Sequence, residues 1–387
     1  MPRAGAAGHL ATNVAIVHWL RELGHEVVVL LVGARLTAPV ERYGLAPVAG
    51  PRVRAVGDRV AVLPGAAAGV VARGLVRRLP PALAARLRGA RHQADAVLGS
   101  FASAEDIAWC ARYVAAHRPD AVLVDTIFRA GLLHARELRG VNSVVIAHDV
   151  FHRRHAALLA AGYRVQPAAL SRGDEAAWLC AARHIAASQP DEARLLQAMC
   201  PMQNVFTAVV PALPCPPPAD AQVIAGRLVF VGSANLPNLD GLRWFFREVW
   251  PLLAGRGVTL DLVGDCGAAL GQVPLGVFRL GRVAELAPVL HRAALAVAPL
   301  LVGSGLKIKL LDYARHGLFT VATPVSLEGF VPDPAAPFVA AADAAAFTEA
   351  ILRRLEMKRE AAPALDYVAR HYGLGPSFAA LGRALSI

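Results

Sequence analysis

The length, composition and charge of the chain exclude several broad classes of protein. At 387 residues it is too long for one ordinary hydrophobic core, so two domains of roughly 150–200 residues are expected. The mean hydropathy of +0.44 suggests a membrane protein, but the sequence contains no run of about 18 uncharged apolar residues. The N-terminus also lacks a basic head followed by an apolar stretch, so no export signal is indicated.

Cysteine usage and net charge indicate where the protein is located in the cell and what kind of partner it binds. The five cysteines are dispersed without a CxxC pair, which is typical of reduced thiols in a cytosol. A formal net charge of +11 indicates an anionic partner: nucleic acid, an anionic membrane or a phosphorylated substrate. The arginines are spread along the chain and aromatics make up only 6%, which disfavours nucleic acid. We expect a cytoplasmic protein and leave open a peripheral location at the inner membrane face.

The N-terminal stretch predicts a glycine-containing loop, then a helix, then a strand, EVVVLLV at 26–32. A doubly wound domain normally has a strand before such a loop, near the middle of its sheet. That first strand is missing from the sequence. Either Met1 is a misassigned start, which we favour, or the sheet is incomplete.

Apolar or β-branched runs alternate with helical stretches along the whole chain. The predicted strands of the first half are 26–32, 59–64, 120–126, 142–148, 184–188 and 205–210. Those of the second half are 227–232, 258–264, 277–281, 295–300, 319–323 and 337–341. Strands that are apolar on both faces and separated by helices favour parallel sheets with helices on both sides.

A proline-rich segment, PALPCPPPADAQ at 211–222, separates the two series of strands. Proline at this density prevents helix and ladder hydrogen bonds, so we interpret the segment as an interdomain linker. The prediction is an N-terminal Rossmann-like domain at 1–212, a linker at 213–222 and a C-terminal domain at 223–387. Whether the last helix packs back on the N-terminal domain is left open. Ligands are expected in the cleft between the domains, at the carboxyl ends of the strands.

The stretch GSGLKIKLLD at 303–312 contains two of the three lysines of the chain, Lys307 and Lys309. It follows a buried strand and opens a helix, so backbone N–H groups and the helix dipole favour an anion there. Gly303 and Gly305 allow close approach of the backbone. Cations in the first turn oppose the helix dipole, and a local rule broken without structural gain indicates a functional site.

The helix is expected to begin near Leu306 and to end at Gly317, which fits a C′ glycine. On this helix Lys309 and Asp312 share a face at i, i+3. A carboxylate there could accept hydrogen bonds from a ribose diol while a lysine meets a diphosphate. The plainer alternative is a surface helix with a solvated ion pair.

The C-terminal half resembles a known family over about residues 225–332. The stretches FVGSANLPNLDGLRWFFREVWPLL, DLVGDCG and RLGRVAELAPVLHRAALAVAPLLVGSGLKIKLLDYARHGLFTVATPVSLEGF follow the order and spacing of GT-B retaining glycosyltransferases. The nearest resemblance is to family four, the glycosyl transferases group 1. The N-terminal half is more loosely similar, through LRELGHEVVVL, PDAVLVD and AHDVFHRR.

The resemblance implies two Rossmann-like doubly wound domains facing a cleft. It implies transfer of a sugar, with retention, from a nucleotide-diphosphate donor to a glycan or lipid-linked acceptor, as in polysaccharide biosynthesis. The donor would bind the C-terminal domain and the acceptor the N-terminal domain. The nucleotide sugar is a substrate, and neither a cofactor nor a metal is implied.

Carried over residue by residue, the resemblance assigns three catalytic positions. Asp312 stands where the family usually has the glutamate that holds the donor ribose. Lys309 lies next to the donor diphosphate, and His148 matches a histidine near the transferred sugar. The remaining candidates, which would bind the donor, are Gly5, Gly8, Gly232, Arg282, Val283, Gly303, Gly305, Lys307, Glu328 and Gly329.

Two departures from the family pattern leave alternatives open. The family has an arginine and a lysine just after the first strand of the C-terminal domain, whereas VGSANLPNLDG has neither. Lys307 and Lys309 would then have to supply that charge. The earlier glutamate of the family motif falls at Ser304. A catalytically impaired sugar-nucleotide-binding protein and a nucleotide-sugar epimerase therefore remain alternatives.

The stretch HDVFHRRH at 148–155 imitates the zinc motif HExxH. That motif needs both histidines inside one helix, whereas His148 ends an apolar strand and the sequence offers no third ligand. We therefore predict no metal there, and a strand-end histidine without a catalytic role is the plainer alternative for His148. Asp149 either orients His148 or caps the helix that follows.

Overall fold

A computed structural model describes residues 8–32, 39–44, 46–64, 96–303 and 305–387. Gly5 and the loop before the first helix lie outside these ranges, as does Ser304. The expectations for the chain start and for those two residues therefore stay predictions.

Over residues 96–387 the helices and strands largely follow each other in the alternating order that the sequence indicates, whereas the five strands between residues 29 and 62 follow one another without a helix in the described residues. The strands are β1 Val29–Leu30, β2 Val40–Arg42, β3 Val48–Ala49, β4 Val53–Val56, β5 Arg59–Val62, β6 Ala96–Val97, β7 Ala121–Asp125, β8 Asn142–Ile146, β9 Val165–Gln166, β10 His184–Ala187, β11 Asn204–Thr207, β12 Arg227–Val231, β13 Thr259–Val263, β14 Val277–Gly281, β15 Leu295–Ala298, β16 Thr320–Ala322 and β17 Phe338–Ala340. The α-helices are α1 Gly8–Glu22, α2 Ala104–His117, α3 Phe151–Ala160, α4 Arg172–Leu179, α5 Pro190–Met199, α6 Leu236–Trp244, α7 Trp250–Leu253, α8 Cys266–Ala269, α9 Ala287–Arg292, α10 Ile308–Arg315, α11 Pro324–Leu327, α12 Ala344–Glu356, α13 Ala362–Tyr372 and α14 Leu374–Leu385. Two 3-10 helices, Ile127–His134 and Arg136–Leu138, follow β7, and a π-helical turn, Phe245–Val249, joins α6 to α7.

The C-terminal half forms one parallel sheet of six strands in the order β14-β13-β12-β15-β16-β17. Strand β12 therefore pairs with β13 on one side and with β15 on the other. The direction of winding reverses between β12 and β15, and ligands bind at such a switch point, outside the carboxyl ends of the strands.

Both faces of this sheet are buried, because its strands are apolar throughout. Leu228 and Phe230 face one hydrophobic cluster and Val229 faces another. All three side chains are fully buried. Alternate residues of one strand thus pack under different helical layers, which confirms the predicted doubly wound α/β architecture.

The N-terminal half contains a parallel sheet in the order β11-β10-β8-β7. Strands β1 and β3 form a separate parallel pair. The predicted strand 59–64 is the exception to the parallel arrangement, since β5 pairs antiparallel with β2 and β4. A two-residue turn at Gly57 and Asp58, with Gly57 at φ +59°, joins β4 to β5. This is the local turn chemistry of a hairpin, which the sequence analysis missed.

The linker and the last helix connect the two halves. The Ala212 amide donates to the Tyr372 carbonyl (2.8 Å), which holds the start of the linker against α13. In α14, Phe378 and Leu381 pack with Ile16 and Val144 in one buried cluster of the N-terminal half. The last helix therefore crosses back to the N-terminal half, while the exact domain bounds stay a prediction.

Within the described ranges, no helix is both long enough and apolar enough to cross a membrane.

Candidate functional site

The candidate site lies at the switch point between β12 and β15, where α6 and α10 begin. Tyr313 anchors α10 there, because its fully buried hydroxyl oxygen accepts a hydrogen bond from the Val231 amide (2.7 Å). A β-carbon at Gly264, which has φ +96°, would lie 2.3 Å from the Gly232 carbonyl oxygen. Glycine at this strand end therefore lets two backbone segments meet at the site.

Lys309 points into the loop that follows β12. Its ammonium donates to Asn238 Oδ1 (2.6 Å) and lies 4.2 Å from the centre of the Phe230 ring. The Asn238 amide in turn donates to the Ser233 carbonyl (3.0 Å). Burial lowers the Lys309 pKa to about 7. The amine thus lies beside the loop VGSANLPNLDG, where the resemblance described above implies an arginine and a lysine.

Lys307 has different surroundings from Lys309. It is the N-cap residue of α10 and donates to the Gly305 carbonyl (2.8 Å). Its side chain is buried, which lowers its pKa, and the carboxylates of Glu328, Asp149 and Glu192 act in the opposite direction. The Lys307 ammonium is 3.9 Å from Glu328 Oε2. Lys307 is therefore set among acidic groups, and its predicted contact with a diphosphate stays a prediction.

Asp312 lies on α10, one turn after Lys309. Its nearest cationic partner is Arg315, at 3.8 Å, and burial raises its pKa to about 6. The side chain nevertheless keeps 32% of its surface accessible. The Asp312 carboxylate is therefore packed among protein groups but still reached by solvent. Lys309 bonds Asn238 rather than Asp312. The contacts therefore do not support the alternative of a solvated Lys309–Asp312 ion pair.

The C-terminal end of α10 agrees with the prediction for Gly317. The Leu318 amide donates to Tyr313 (3.0 Å) and the Gly317 amide to Ala314 (2.9 Å), with Gly317 at φ +73°. This pair of bonds is a Schellman motif. The helix begins at Ile308, two residues after the predicted start, since Lys307 is still outside helical geometry.

On the opposite side of the cleft, Asp125 is the last residue of β7, and His148 follows the neighbouring strand β8. His148 Nε2 is 2.8 Å from Asp125 Oδ1, and the His148 side chain is 10% exposed. His148 has φ +59° and Thr126 has φ +67°. Left-handed backbone at two non-glycine residues costs about 1–3 kcal/mol each and concentrates at functional sites. The carboxyl ends of β7 and β8 therefore carry polar side chains and a strained backbone.

The contacts after His148 exclude a helical zinc motif. His148 lies outside α3, whereas His152 lies within it and bonds Glu175 Oε2 through Nδ1 (2.7 Å). The Glu175 carboxylate also accepts from the Phe151 and His152 amides, so it caps α3 from α4. Asp149 instead pairs with Arg154 (2.7 Å). The two roles considered for Asp149 stay predictions.

Two carboxyl groups of the N-terminal half approach the glycine loop of α10. A β-carbon placed on Gly305 would lie 3.5 Å from the His148 carbonyl oxygen, 3.8 Å from Glu192 Oε1 and 3.9 Å from Asp149 Oδ2. Burial, together with Asp149, raises the Glu192 pKa to about 7. The sequence analysis did not single out Glu192, because its only local signal is an acidic residue in the first turn of α5.

The other predicted donor-binding residues lie around this site with varied partners. Arg282 forms an ion pair with Asp265 at the carboxyl ends of β13 and β14. Val283 packs against the cluster under α10. Gly329, next to Glu328, has φ +84°, and a β-carbon there would overlap Gln189 Oε1 of the N-terminal half. Gly8 is the first residue of α1 and Gly303 lies next to the Lys307 stem.

Comparison with known proteins shows which family and which folds this chain resembles. Residues 225–357 match the family model for glycosyl transferases group 1. A UDP-forming α,α-trehalose-phosphate synthase from Burkholderia xenovorans shares 14% identity at a TM-score of 0.58, over 99% of this chain and 97% of that one. A TarM variant from S. aureus, solved with Fondaparinux, α-GlcNAc-glycerol and UDP, shares 10% identity at a TM-score of 0.57, over 74% of this chain and 60% of that one.

A curated relative is also similar. It is an uncharacterized 44.6 kDa protein in the cps region of Klebsiella pneumoniae, 24% identical over 163 residues, which are 38% of this chain and 42% of that protein. The matched region thus spans less than half of this relative.

The architecture and these likenesses define the GT-B fold, with two Rossmann-like domains. The resemblance to the glycosyl transferases group 1 is confirmed, and the matching segment, residues 225–357, contains the whole of α10 together with Lys307 and Lys309.

Proposed function

We propose that this protein transfers a sugar from a nucleoside-diphosphate donor to a glycan or lipid-linked acceptor, with retention at the anomeric carbon. The observation that carries the proposal is the position of Lys309. Its ammonium lies 2.6 Å from Asn238 Oδ1, beside the loop after β12 and at the switch point of the donor-type sheet. One side chain of α10 thus brings a cation to the place where the sequence lacks the family's arginine and lysine.

The chemical task is to stabilise the diphosphate as it leaves the anomeric carbon. Negative charge grows on its oxygens while the new bond to the acceptor hydroxyl forms. A cation and backbone N–H groups that are already in place stabilise that charge without reorganisation. Lys309 and the N-terminus of α10 are assigned this role, and Asp312 is assigned the ribose diol. No metal is needed for this charge balance.

The acceptor side of the reaction is assigned to the N-terminal half. His148, held by Asp125 at the strained end of β8, faces the loop that carries Gly305. Glu192, with its pKa near 7, offers a carboxyl group that can donate a hydrogen bond to a sugar hydroxyl. Closure of the two domains would exclude water from the donor.

The substrate class is supported by the solved and curated relatives. The TarM structure contains UDP, and the Klebsiella relative is encoded in a cps region. A UDP-sugar and a surface-polysaccharide intermediate are therefore the first substrates to test. The net charge of +11 supports a cytoplasmic protein that makes peripheral contact with an anionic membrane.

Titration calorimetry with a panel of nucleotide sugars, followed by transfer and donor-hydrolysis assays, tests the proposal. Lys309→Ala should reduce donor affinity or turnover at least tenfold, since charge-assisted hydrogen bonds contribute about 1.5–3 kcal/mol. Lys358→Ala is the matched control, because Lys358 is an exposed lysine that follows α12 and does not belong to the candidate site. Wild-type behaviour of the Lys309 variant would contradict the proposal.

One observation favours a second candidate, a protein that binds the sugar nucleotide without transferring it. Lys307 is surrounded by Glu328, Asp149 and Glu192, so its charge is largely compensated within the protein. Donor binding with neither hydrolysis nor transfer in the same assays would establish this candidate.

A further inference from the structure

A cysteine and two histidines from three separate segments meet at the C-terminal end of α10, the end opposite Lys309. Cys215 lies in the linker, His291 in α9 and His316 directly after α10. One potential ligand atom from each residue lies within 4.8 Å of the other two. We propose that Cys215, His291 and His316 bind a late first-row transition-metal ion, in practice Zn²⁺.

The hydrogen bonds of both imidazoles fix which nitrogen carries the lone pair. His316 Nδ1 lies 2.7 Å from the Asp312 carbonyl oxygen, and His291 Nε2 lies 3.0 Å from the Cys215 carbonyl oxygen. A carbonyl only accepts, so these nitrogens carry the protons. The neutral rings then keep their lone pairs on His316 Nε2 and His291 Nδ1. Metal-bound histidines characteristically donate their other N–H to such an acceptor.

Both histidines are buried, and the cysteine is partly buried. His291 is 7% and His316 is 4% exposed. The Cys215 thiol is half-buried and supplies the soft ligand that Zn²⁺ favours.

The backbone of each ligand segment is held in place by hydrogen bonds. Arg359 donates to the carbonyls of His291 (2.8 Å) and His316 (3.0 Å), and the Cys215 amide donates to the Arg315 carbonyl (2.6 Å). In a tetrahedral zinc site, ligand atoms lie roughly 3.3–3.8 Å apart, given the usual bond lengths. Side-chain rotations that move the ligand atoms by about 1 Å would bring the three ligand atoms to that separation.

The same arginines limit the affinity. Arg359 and Arg315 place two positive charges near the site, and the Cys215 thiolate is the one anionic ligand. We therefore expect binding weaker than that of closed four-ligand zinc sites, with water as the fourth ligand. The ion would tie the linker to α9 and α10. This inference does not depend on the proposed function, because it concerns the opposite end of α10.

The test uses the full chain, free of any affinity tag, stripped of metal by a chelator and then titrated with Zn²⁺ and with Co²⁺. The wild-type protein should bind one equivalent of each ion. Its Co²⁺ complex should show the visible bands of a tetrahedral site and a thiolate charge-transfer band. Cys215→Ser should abolish the thiolate band, and His291→Gln should weaken binding at least tenfold while keeping a donor to the Cys215 carbonyl.

Cys110→Ser, at a buried cysteine of the N-terminal half, is the control and should bind both ions as the wild type does. Circular dichroism separates loss of binding from loss of fold. The Co²⁺ spectrum of the wild type reports the ligand set by itself. The test therefore remains valid even if a variant misfolds. The proposal is overturned if the wild type binds less than one equivalent, if its Co²⁺ complex lacks a thiolate band, or if Cys215→Ser retains that band.

Discussion

The buried amine of Lys309 should make the affinity for a nucleoside diphosphate depend on pH. Burial lowers its pKa to about 7, so above that pH the free protein holds a neutral amine beside Asn238. A bound diphosphate requires the charged form. Binding above pH 7 therefore takes up a proton, and affinity falls as the pH rises. Lys309→Met, which cannot be protonated, should remove this dependence.

The magnitude follows from proton linkage. For one group with a pKa of about 7 that must be protonated to bind, the dissociation constant should rise about 25-fold between pH 6.5 and 8.5. This corresponds to about 2 kcal/mol. At pH 8 the complex should take up about 0.9 proton per site. At pH 6.5 the methionine variant should bind at least tenfold more weakly than the wild type, and by pH 8.5 the two should converge.

Titration calorimetry in buffers of different ionisation enthalpy measures both the affinity and the number of protons taken up. UDP is the first probe, with GDP and ADP as alternatives, over a pH range in which none of the three bases titrates. Lys358→Met is the matched control and should keep the wild-type profile. A flat wild-type profile, or the same slope in Lys309→Met, would refute the reasoning that places Lys309 at the diphosphate.

Three further predictions follow from individual side chains. Because burial raises the Asp312 pKa to about 6, donor affinity in the wild type should fall as the pH drops below 6, and Asp312→Asn should bind weakly without this acidic limb. The Glu192 pKa is raised to about 7, so the folded state binds the extra proton. Stability should therefore decline as the pH rises from about 4.5 to 7, by about 3 kcal/mol at most, and Glu192→Gln should flatten this decline. Gly317→Ala should lower the free energy of unfolding by about 2 kcal/mol or more, because φ is +73° and its β-carbon would lie 2.5 Å from Ala361 Cβ.

Each of these has its own control and contrary outcome. Asp312→Glu restores the family residue and should keep the acidic limb, so a limb in Asp312→Asn would point to another group. Denaturant unfolding at several pH values measures the free energy of unfolding of the Glu192→Gln and Gly317→Ala variants. Glu349→Gln, at an exposed position, should retain the wild-type pH dependence of stability. A Gly317→Ala protein as stable as the wild type would mean that the α10 terminus differs from the motif described.

The sequence by itself determined the local features of this protein. Apolar runs at 227–232, 258–264 and 295–300 became β12, β13 and β15, because a strand buried on both faces must be apolar along its length. Gly317 was recognisable as the residue after α10, since only glycine readily adopts the backbone that such a terminus needs. The family motif around Lys309 could be read in the same way.

The tertiary structure decided which distant groups meet. Strand order brings α10 beside the loop after β12, and this contact gives Lys309 its partner Asn238 and its lowered pKa. Domain contact brings Glu192 to Gly305. Cys215 reaches His291 in the same way, through the path of the linker. None of these pairings has a local signal, because hydrophobic periodicity specifies which face of an element is buried but not which element covers it.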